Sequence, residues 1–150
     1  MTTEPLPAPG GYEISTDAAR LDHELIHRWL SQDAYWALGR PRDQLDRAIA
    51  HSLNFGAYRA VPAPPANRQV GYARVVTDYA TFAWLCDVYV DRAARGRGLG
   101  TALAAAVRDY LAPYGLRRIL LATADAHGVY ARLGFTPLAS PEKWMTLGQQ

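Results

Sequence analysis

Residues 95–100 read Arg-Gly-Arg-Gly-Leu-Gly, and this run decides how the surrounding chain is interpreted. Before it, Phe82–Val90 is rich in β-branched and aromatic residues, which is typical of a buried strand. After it, Leu99, Leu103 and Val107 recur every four residues, which predicts the buried face of a helix. A glycine-rich turn between a strand and a helix leaves unpaired N–H groups at the positive end of the helix dipole. The segment therefore predicts a phosphate-binding turn.

The spacing of the glycines excludes two common phosphate loops. Gly96, Gly98 and Gly100 place Thr101 where the dinucleotide motif has its third glycine. Neither Lys-Ser nor Lys-Thr follows the glycines, so the nucleoside-triphosphate loop is absent from the sequence as well. What remains is the pattern Arg-x-x-Gly-x-Gly that begins at Arg95, or an ordinary strand–helix turn.

A second segment downstream decides between these two interpretations. Residues 117–123 are typical of a strand, and residues 125–135 read Asp-Ala-His-Gly-Val-Tyr-Ala-Arg-Leu-Gly-Phe. Together the two segments resemble the GNAT superfamily of N-acetyltransferases, in which a Gln/Arg-x-x-Gly-x-Gly/Ala loop holds the pyrophosphate of acetyl-coenzyme A. In that family a later short helix carries a tyrosine, and Leu-Gly-Phe then enters a strand. The resemblance implies an α+β fold with a mixed sheet, the order β-α-α-β-β-β-α-β-α-β-β and a splayed central sheet.

The remaining sequence fits that order as one domain over residues 1–150. Residues 1–10 are rich in proline and glycine and are expected to form a loose leader. The proline-rich residues 61–67 are expected to connect two strands. The hydrophobic pattern predicts further strands at 12–16, 54–60, 68–80, 135–138 and 144–147, and helices at 17–31 and 41–51.

The resemblance also implies which residues contact acetyl-coenzyme A as co-substrate. In the family, backbone groups freed at the splay hold the pantetheine arm, and the glycine loop surrounds the pyrophosphate. Of the arginines at positions 92, 95 and 97, one is expected to be an ordinary solvated side chain. Thr123 stands where the family often has an asparagine, which puts that contact in doubt. The implied cofactor-binding set is Val88, Tyr89, Val90, Arg95, Gly96, Arg97, Gly98, Leu99, Gly100, Thr101, Thr123 and His127, with a solvated His127 as the alternative.

Two side chains are candidates for proton transfer. The resemblance places Tyr130 near the thioester sulfur, where a phenol is acidic enough to protonate a departing thiolate. The alternative for Tyr130 is packing of its helix onto the sheet. Asp87 is a carboxylate in an otherwise apolar strand, which is uncommon without a purpose. It is interpreted as a base acting through water or an anchor for a cationic acceptor, or else as half of a buried ion pair with an arginine.

Acceptor recognition in the family comes from the first two helices, their connecting loop and the later strands. The substrate-binding candidates on this basis are Tyr35, Trp36, Arg40, Asp78 and Tyr79. Aromatic residues in a loop are also common as lid or core residues, which stays the alternative. Trp84 and Cys86 are interpreted as core packing.

Composition limits the partners and the cellular location that are expected for the protein. The 16 basic and 14 acidic residues give a net charge of +2, which is too balanced to indicate a nucleic-acid partner. The sequence has no long apolar run and no Cys/His cluster with metal-ligand spacing, so neither a membrane span nor a metal is expected. A single cysteine excludes an internal disulfide and favours the cytoplasm.

The expected function is transfer of an acetyl group from acetyl-coenzyme A to a primary amine of a small molecule by direct attack. Two alternatives stay open: a non-catalytic module that binds or senses acyl-coenzyme A, and an N-acetyltransferase for proteins or peptides. The aromatic loop around Tyr35 favours a small acceptor pocket. A homodimer formed through the closing strands also stays open.

Overall fold

The framework of the computed structural model, which describes residues 4–60 and 68–148, is a mixed sheet. Six strands lie side by side in chain order, and each neighbouring pair is antiparallel except the last, which is parallel. The strands are β1 (Leu6–Ala8), β2 (Tyr12–Ser15), β3 (Leu53–Arg59), β4 (Gln69–Thr77), β5 (Phe82–Val90) and β6 (Arg118–Leu120). The α+β class with a mixed sheet is thereby confirmed.

Helices on either side of the sheet build two separate cores. Leu103 and Val107 of the glycine-loop helix pack against β3, β4 and β5 in one core. In the other core, Trp29 of the first helix stacks on Tyr89 of β5, with ring centroids 5.4 Å apart. The helices are α1 (His23–Asp33), α2 (Arg42–Ala50), α3 (Leu99–Leu111) and α4 (His127–Arg132), with 3₁₀ turns at Ala18–Arg20, Arg92–Ala94, Ala112–Tyr114 and Pro141–Lys143.

The first helix begins later than the sequence predicted. The side chain of Asp22 accepts a hydrogen bond from the N–H of Leu25 at 3.0 Å, so Asp22 is the N-cap of α1. Asp17, where the helix was expected to begin, caps the preceding 3₁₀ turn instead. Two aspartates in one stretch thus produce two short helical segments rather than one long helix.

The expected loose leader contains a strand. Leu6–Ala8 forms β1 because Gly10 and Gly11, with φ of 73° and 76°, turn the chain back so that β1 pairs with β2. Glycine adopts such positive φ values without steric penalty. Proline does not prevent the pairing, since an edge strand has one side on which no N–H is needed.

The two closing strands are also not formed as predicted. Within the described residues, 135–138 and 144–147 carry no strand, and a 3₁₀ turn lies between them. Pro137 cannot donate a ladder hydrogen bond, and Leu147 is fully exposed and gains no face to bury against. A cavity of about 970 Å³ lies between β6 and this last segment. The predicted connection at 61–67 lies outside the described residues.

Two irregularities of β5 create the space for a site. The pairing of β4 with β5 shifts register between Tyr72 and Arg74, and Asp87 of β5 lies in this bulge with φ of 51°. On its other side, β5 pairs with β6 only as far as Trp84. Beyond Trp84, β5 has no strand partner on this side because β6 ends at Leu120, in agreement with the expected splay.

Candidate active site

The glycine run forms the turn that its spacing predicts. Gly96 and Gly98 have φ of 80° and 79°, a conformation that side-chain-bearing residues rarely adopt. Gly98 is the N-cap residue of α3 and has no side chain with which to cap it. The N–H groups of the first turn of α3 are therefore available to an anion at the positive end of the helix dipole.

A cavity of about 450 Å³ lies at this turn, and we call it the loop cavity. It extends from the glycine turn along the end of β5 to α4. Its position brings together most of the cofactor-binding residues predicted from the sequence. These are Val88, Tyr89, Val90, Arg95, Gly96, Gly98, Leu99, Gly100 and Thr101.

Asp33, at the end of α1, was not singled out in the sequence, but it lines the loop cavity. Its carboxylate accepts a hydrogen bond from Arg92 Nε at 2.9 Å and one from the Tyr89 hydroxyl, and Arg95 Nη2 lies 3.4 Å away. The hydrogen bonds from Arg92 and Tyr89, with the charges of Arg92 and Arg95, hold the pKa of Asp33 well below its usual range. Both arginines of the cavity are thus already paired with a carboxylate.

A smaller cavity of about 240 Å³ lies beside the first, and we call it the inner cavity. It lies between the second half of β5 and residues 121–123, which follow β6. Trp84, Cys86 and Val88 line it from β5, and Leu121 and Thr123 line it from the other side.

Tyr130 lies where the two cavities meet, because it lines both. Its ring packs edge-on against Phe135, with centroids 5.7 Å apart. Burial raises the pKa of the Tyr130 phenol, and Tyr35 and Asp125 act in the same direction. The hydroxyl is therefore protonated at neutral pH, and a protonated phenol can donate a proton.

The connection between α1 and α2 provides an aromatic wall that both cavities share. Tyr35 and Trp36, which were predicted to contact the acceptor, line both cavities with their rings edge to face at 5.0 Å. The Tyr35 hydroxyl accepts the N–H of Ala124 at 3.0 Å, and Trp36 Nε1 donates to Asp87 Oδ1 at 2.9 Å. These two bonds tie the connection to both sides of the splay.

Asp87 is 4% exposed, and its carboxylate is engaged on both oxygens. Oδ2 accepts hydrogen bonds from Arg40 Nη1 and Arg74 Nε, each at 2.8 Å, while Oδ1 accepts from Trp36. Burial raises the pKa of Asp87, but the hydrogen bond from Arg40 and the charge of Arg74 outweigh it and leave the pKa below its usual value. This arrangement is the buried ion pair that the sequence left as an alternative. Arg40, expected to contact the acceptor, is committed to that pair and lines neither cavity.

Two further acceptor candidates lie in the turn that precedes β5. Asp78 accepts hydrogen bonds from the N–H groups of Ala80 and Thr81 at 2.9 and 2.8 Å, so it stabilises the turn itself. The ring of Tyr79 packs on Tyr114, with centroids 5.2 Å apart. Neither Asp78 nor Tyr79 lines either cavity, and their contact with an acceptor stays a prediction.

Three members of the predicted cofactor-binding set lie outside the loop cavity. Arg97 Nη1 donates to the Tyr12 hydroxyl at 3.0 Å and does not line the loop cavity, so its contact with the cofactor stays a prediction. Thr123 Oγ1 accepts the N–H of Ala126 at 3.1 Å and lines the inner cavity instead. His127 is exposed at the start of α4 and lines neither cavity, as its solvated alternative requires.

Trp84 and Cys86, which were interpreted as core residues, line the inner cavity. Both are half-buried, and they alternate along β5 with the buried Ala83 and Leu85. The signal that could have located them is the two-residue period of a strand, which places them on the face of Val88. Burial raises the pKa of the Cys86 thiol to about 11, so this lining group is uncharged at neutral pH.

The structure offers neither a metal-binding cluster nor a membrane-spanning helix within its described residues. Within residues 4–60 and 68–148, no group of three or more His, Cys, Asp or Glu side chains is placed to hold a metal ion. Over the same residues, none of the helices combines the length and the apolar character needed to cross a membrane.

Known proteins share both the sequence pattern and this architecture. Residues 23–135 match the model of the acetyltransferase (GNAT) family. A candidate acetyltransferase from Gibberella zeae is 33% identical over 137 residues, which cover 82% of this chain and 77% of that protein. The crystal structure of a candidate GNAT acetyltransferase from Xanthomonas campestris has a TM-score of 0.85 and 48% identity, covering 95% of this chain and 96% of that one. A Mycobacterium tuberculosis protein crystallised with coenzyme A shares the fold, with a TM-score of 0.59, 19% identity and coverage of 79% and 70%.

The fold, the glycine turn on α3 and the splay beyond Trp84 together define an acyltransferase-type site, and the matches agree with that class. The chain belongs to the acetyltransferase (GNAT) family. The resemblance drawn from residues 95–100 and 125–135 is confirmed.

Proposed function

We propose that this protein is an acetyl-coenzyme A-dependent N-acetyltransferase that acetylates a primary amine of a small molecule. The observation that supports it most strongly is that the Tyr130 phenol, a proton donor, lines both cavities. One cavity has a phosphate-binding turn, and the other is enclosed by β5 and the aromatic wall. A module that only senses an acyl group would need the first cavity but not a phenol at its junction with a second.

The loop cavity fits the coenzyme on two counts. No neighbouring atom lies within 4 Å of a Cβ placed on Gly96 or Gly98, so the backbone there is open to a ligand. The uncapped N–H groups of α3 and the Arg95 guanidinium are donors suited to a diphosphate. We assign the pyrophosphate to this turn and the pantetheine arm to the backbone of Val88, Tyr89 and Val90. When bound, acetyl-coenzyme A would supply the acetyl thioester.

In the proposed reaction this chain contributes alignment and one proton. The two cavities hold the amine and the thioester next to each other, which removes much of the entropic barrier of a two-substrate reaction. The Tyr130 hydroxyl donates its proton to the leaving thiolate. Asp87 is a positioning residue, since its hydrogen bond from Trp36 and its ion pair with Arg40 hold the α1–α2 connection against β5. With the bond from Arg74, both carboxylate oxygens are engaged by these partners. The amine proton passes to solvent water, and the Tyr130 phenolate takes a proton back from solvent before the next turnover.

The reducing cytoplasm, which the single cysteine favours, is the proposed location. The structure has Cys86 as a free thiol.

The proposal is tested first by calorimetric titration with acetyl-coenzyme A, and with coenzyme A as the unacetylated control. We expect micromolar binding of both, and at least tenfold weaker binding after Gly98→Val, because φ of 79° is strained for valine and its side chain enters the loop cavity. Gly115→Val is the matched control, since Gly115 has φ of 64°, equally open surroundings and no place in either cavity. Absence of binding to the unmodified protein would exclude the transferase and the sensing module together.

Asp33→Asn is expected to tighten coenzyme A binding several-fold at low ionic strength. An incoming diphosphate competes with the Asp33 carboxylate for Arg92 and Arg95, and a neutral amide is a weaker competitor. The gain should shrink as salt screens the charges. Titrations at two salt concentrations measure it, with Asp109→Asn as control because Asp109 pairs with Arg108 outside both cavities. Weaker binding by the Asp33 variant would mean that Asp33 holds the arginines in place for the ligand.

A further inference from the structure

We infer, on the basis of the proposed N-acetyltransferase function, that the acceptor is a compact monoamine with an aromatic or other apolar body and no acidic group. The inference rests on the size, the walls and the charges of the inner cavity. Each of these properties excludes a different class of amine.

The size of the inner cavity excludes a long acceptor from being enclosed. Its volume is about 240 Å³. Ordinary small-molecule pockets span roughly 300–1,000 Å³. A cavity below that range favours a compact acceptor. A polyamine or a peptide would have to extend far outside it.

The walls of the inner cavity are aromatic and are held in place by specific bonds. Trp84 lines it from β5, while Tyr35 and Trp36 line it from the α1–α2 connection. The hydrogen bonds of Tyr35 with Ala124 and of Trp36 with Asp87 fix two of these rings. Fixed ring faces favour an aromatic body by stacking, and they also attract a protonated amine.

The charges of the inner cavity exclude an anionic acceptor. Among the described residues, none of the side chains that line it is an arginine or a lysine, whereas Asp87 and Asp125 do line it. Asp87 is neutralised by Arg40 and Arg74. Asp125 is exposed and lines both cavities. Its negative charge, which also raises the pKa of Tyr130, attracts an ammonium group toward the junction of the cavities. A carboxylate or phosphate on the acceptor would lose its water and gain no cationic partner.

The test compares four amines as acceptors for the full chain with acetyl-coenzyme A, and thiol release is the readout. The amines are 2-phenylethylamine, spermidine, glutamate and glucosamine 6-phosphate. We expect kcat/KM for 2-phenylethylamine to exceed each of the others at least tenfold. A preference for any of the other three would overturn the acceptor class while leaving acetyl transfer established.

A variant locates the preference in the inner cavity. Trp84→Ala should raise KM for 2-phenylethylamine at least tenfold with little change in kcat, and leave the Kd for coenzyme A unchanged. Trp144→Ala is the matched control, because Trp144 lines neither the inner nor the loop cavity. An unchanged KM in a folded Trp84 variant would overturn the assignment. Should that variant not fold, Asp125→Asn takes its place, with a severalfold higher KM expected and an unchanged KM contradicting the inference.

Binding decides the case in which none of the four amines is acetylated. Titration of 2-phenylethylamine into the coenzyme A-loaded protein should quench tryptophan fluorescence, since tryptophans form the cavity wall. Absence of quenching with coenzyme A bound would overturn the acceptor class alone. Failure to bind coenzyme A would overturn the proposed function itself, so the two failures are distinguishable.

Discussion

Tyr130→Phe is expected to lower kcat by about 10²-fold or more, the usual contribution of general acid catalysis, while the Kd for coenzyme A changes less than twofold. The substitution removes the hydroxyl at the junction of the two cavities and keeps the ring that packs on Phe135. Steady-state thiol release with the best acceptor measures kcat, and calorimetry measures the Kd. An effect on kcat alone is the signature of a group that acts in the transition state.

The pH dependence of the same variant gives a second criterion. Because burial raises the pKa of Tyr130, the unmodified enzyme should keep its acid form to a higher pH than an ordinary tyrosine would. The rate should therefore rise with pH as the amine loses its proton, and any loss at high pH should vanish in the phenylalanine variant. Tyr114→Phe is the control, since Tyr114 is a partly buried tyrosine in neither cavity. An unchanged kcat for Tyr130→Phe would return Tyr130 to a packing role.

The parts of the site that local sequence patterns specify were the parts that could be predicted. The glycines of residues 95–100 need positive φ and precede a helix, so both the turn and its place in the loop cavity follow from neighbouring residues. Tyr130 follows from a similarly short pattern. The sheet order also follows, because every strand pairs with its neighbour in the chain. The pairs from β1 to β5 are antiparallel, and only β5 with β6 is parallel.

The parts that depend on distant residues could not be predicted in this way. Asp33 meets Arg92 across 59 positions of the chain, and Asp87 meets Arg40 across 47. No periodicity links such residues, so the sequence allowed an ion pair for Asp87 but its arginine partners are identified only when the sheet and α1 are in place. The failure at the closing strands has another cause, since apolar residues at 144–147 match a strand pattern but find no neighbour to pair with.

Asp87→Asn is expected to destabilise the protein by about 3–5 kcal/mol, the usual effect of removing one partner of a buried ion pair. The side chains of Arg40 and Arg74 are only 17% and 15% exposed, so they lose their counter-charge without regaining full hydration. Asparagine tolerates the left-handed backbone of this position, where φ is 51°, so the substitution tests the charge rather than the backbone. By the scaling for domains of this size, Tm should fall by about 6–20 °C in a thermal unfolding experiment. Asp43→Asn, whose carboxylate is 77% exposed in its pair with Arg47, should leave Tm unchanged.

The pH dependence of this loss distinguishes a structural ion pair from a catalytic base. The pKa of Asp87 is lower in the folded state than its unfolded value near 3.9, so its contribution is fully present above about pH 4. It disappears as the pH falls through the lower folded-state pKa, because a protonated Asp87 pairs no better than asparagine. The Tm values of the two proteins should therefore differ most at neutral pH and converge below pH 4. A folded Asp87→Asn protein with an unchanged Tm but a lost acid limb in its pH–rate profile would instead identify Asp87 as the base, and the amine proton would then pass to Asp87 rather than to solvent.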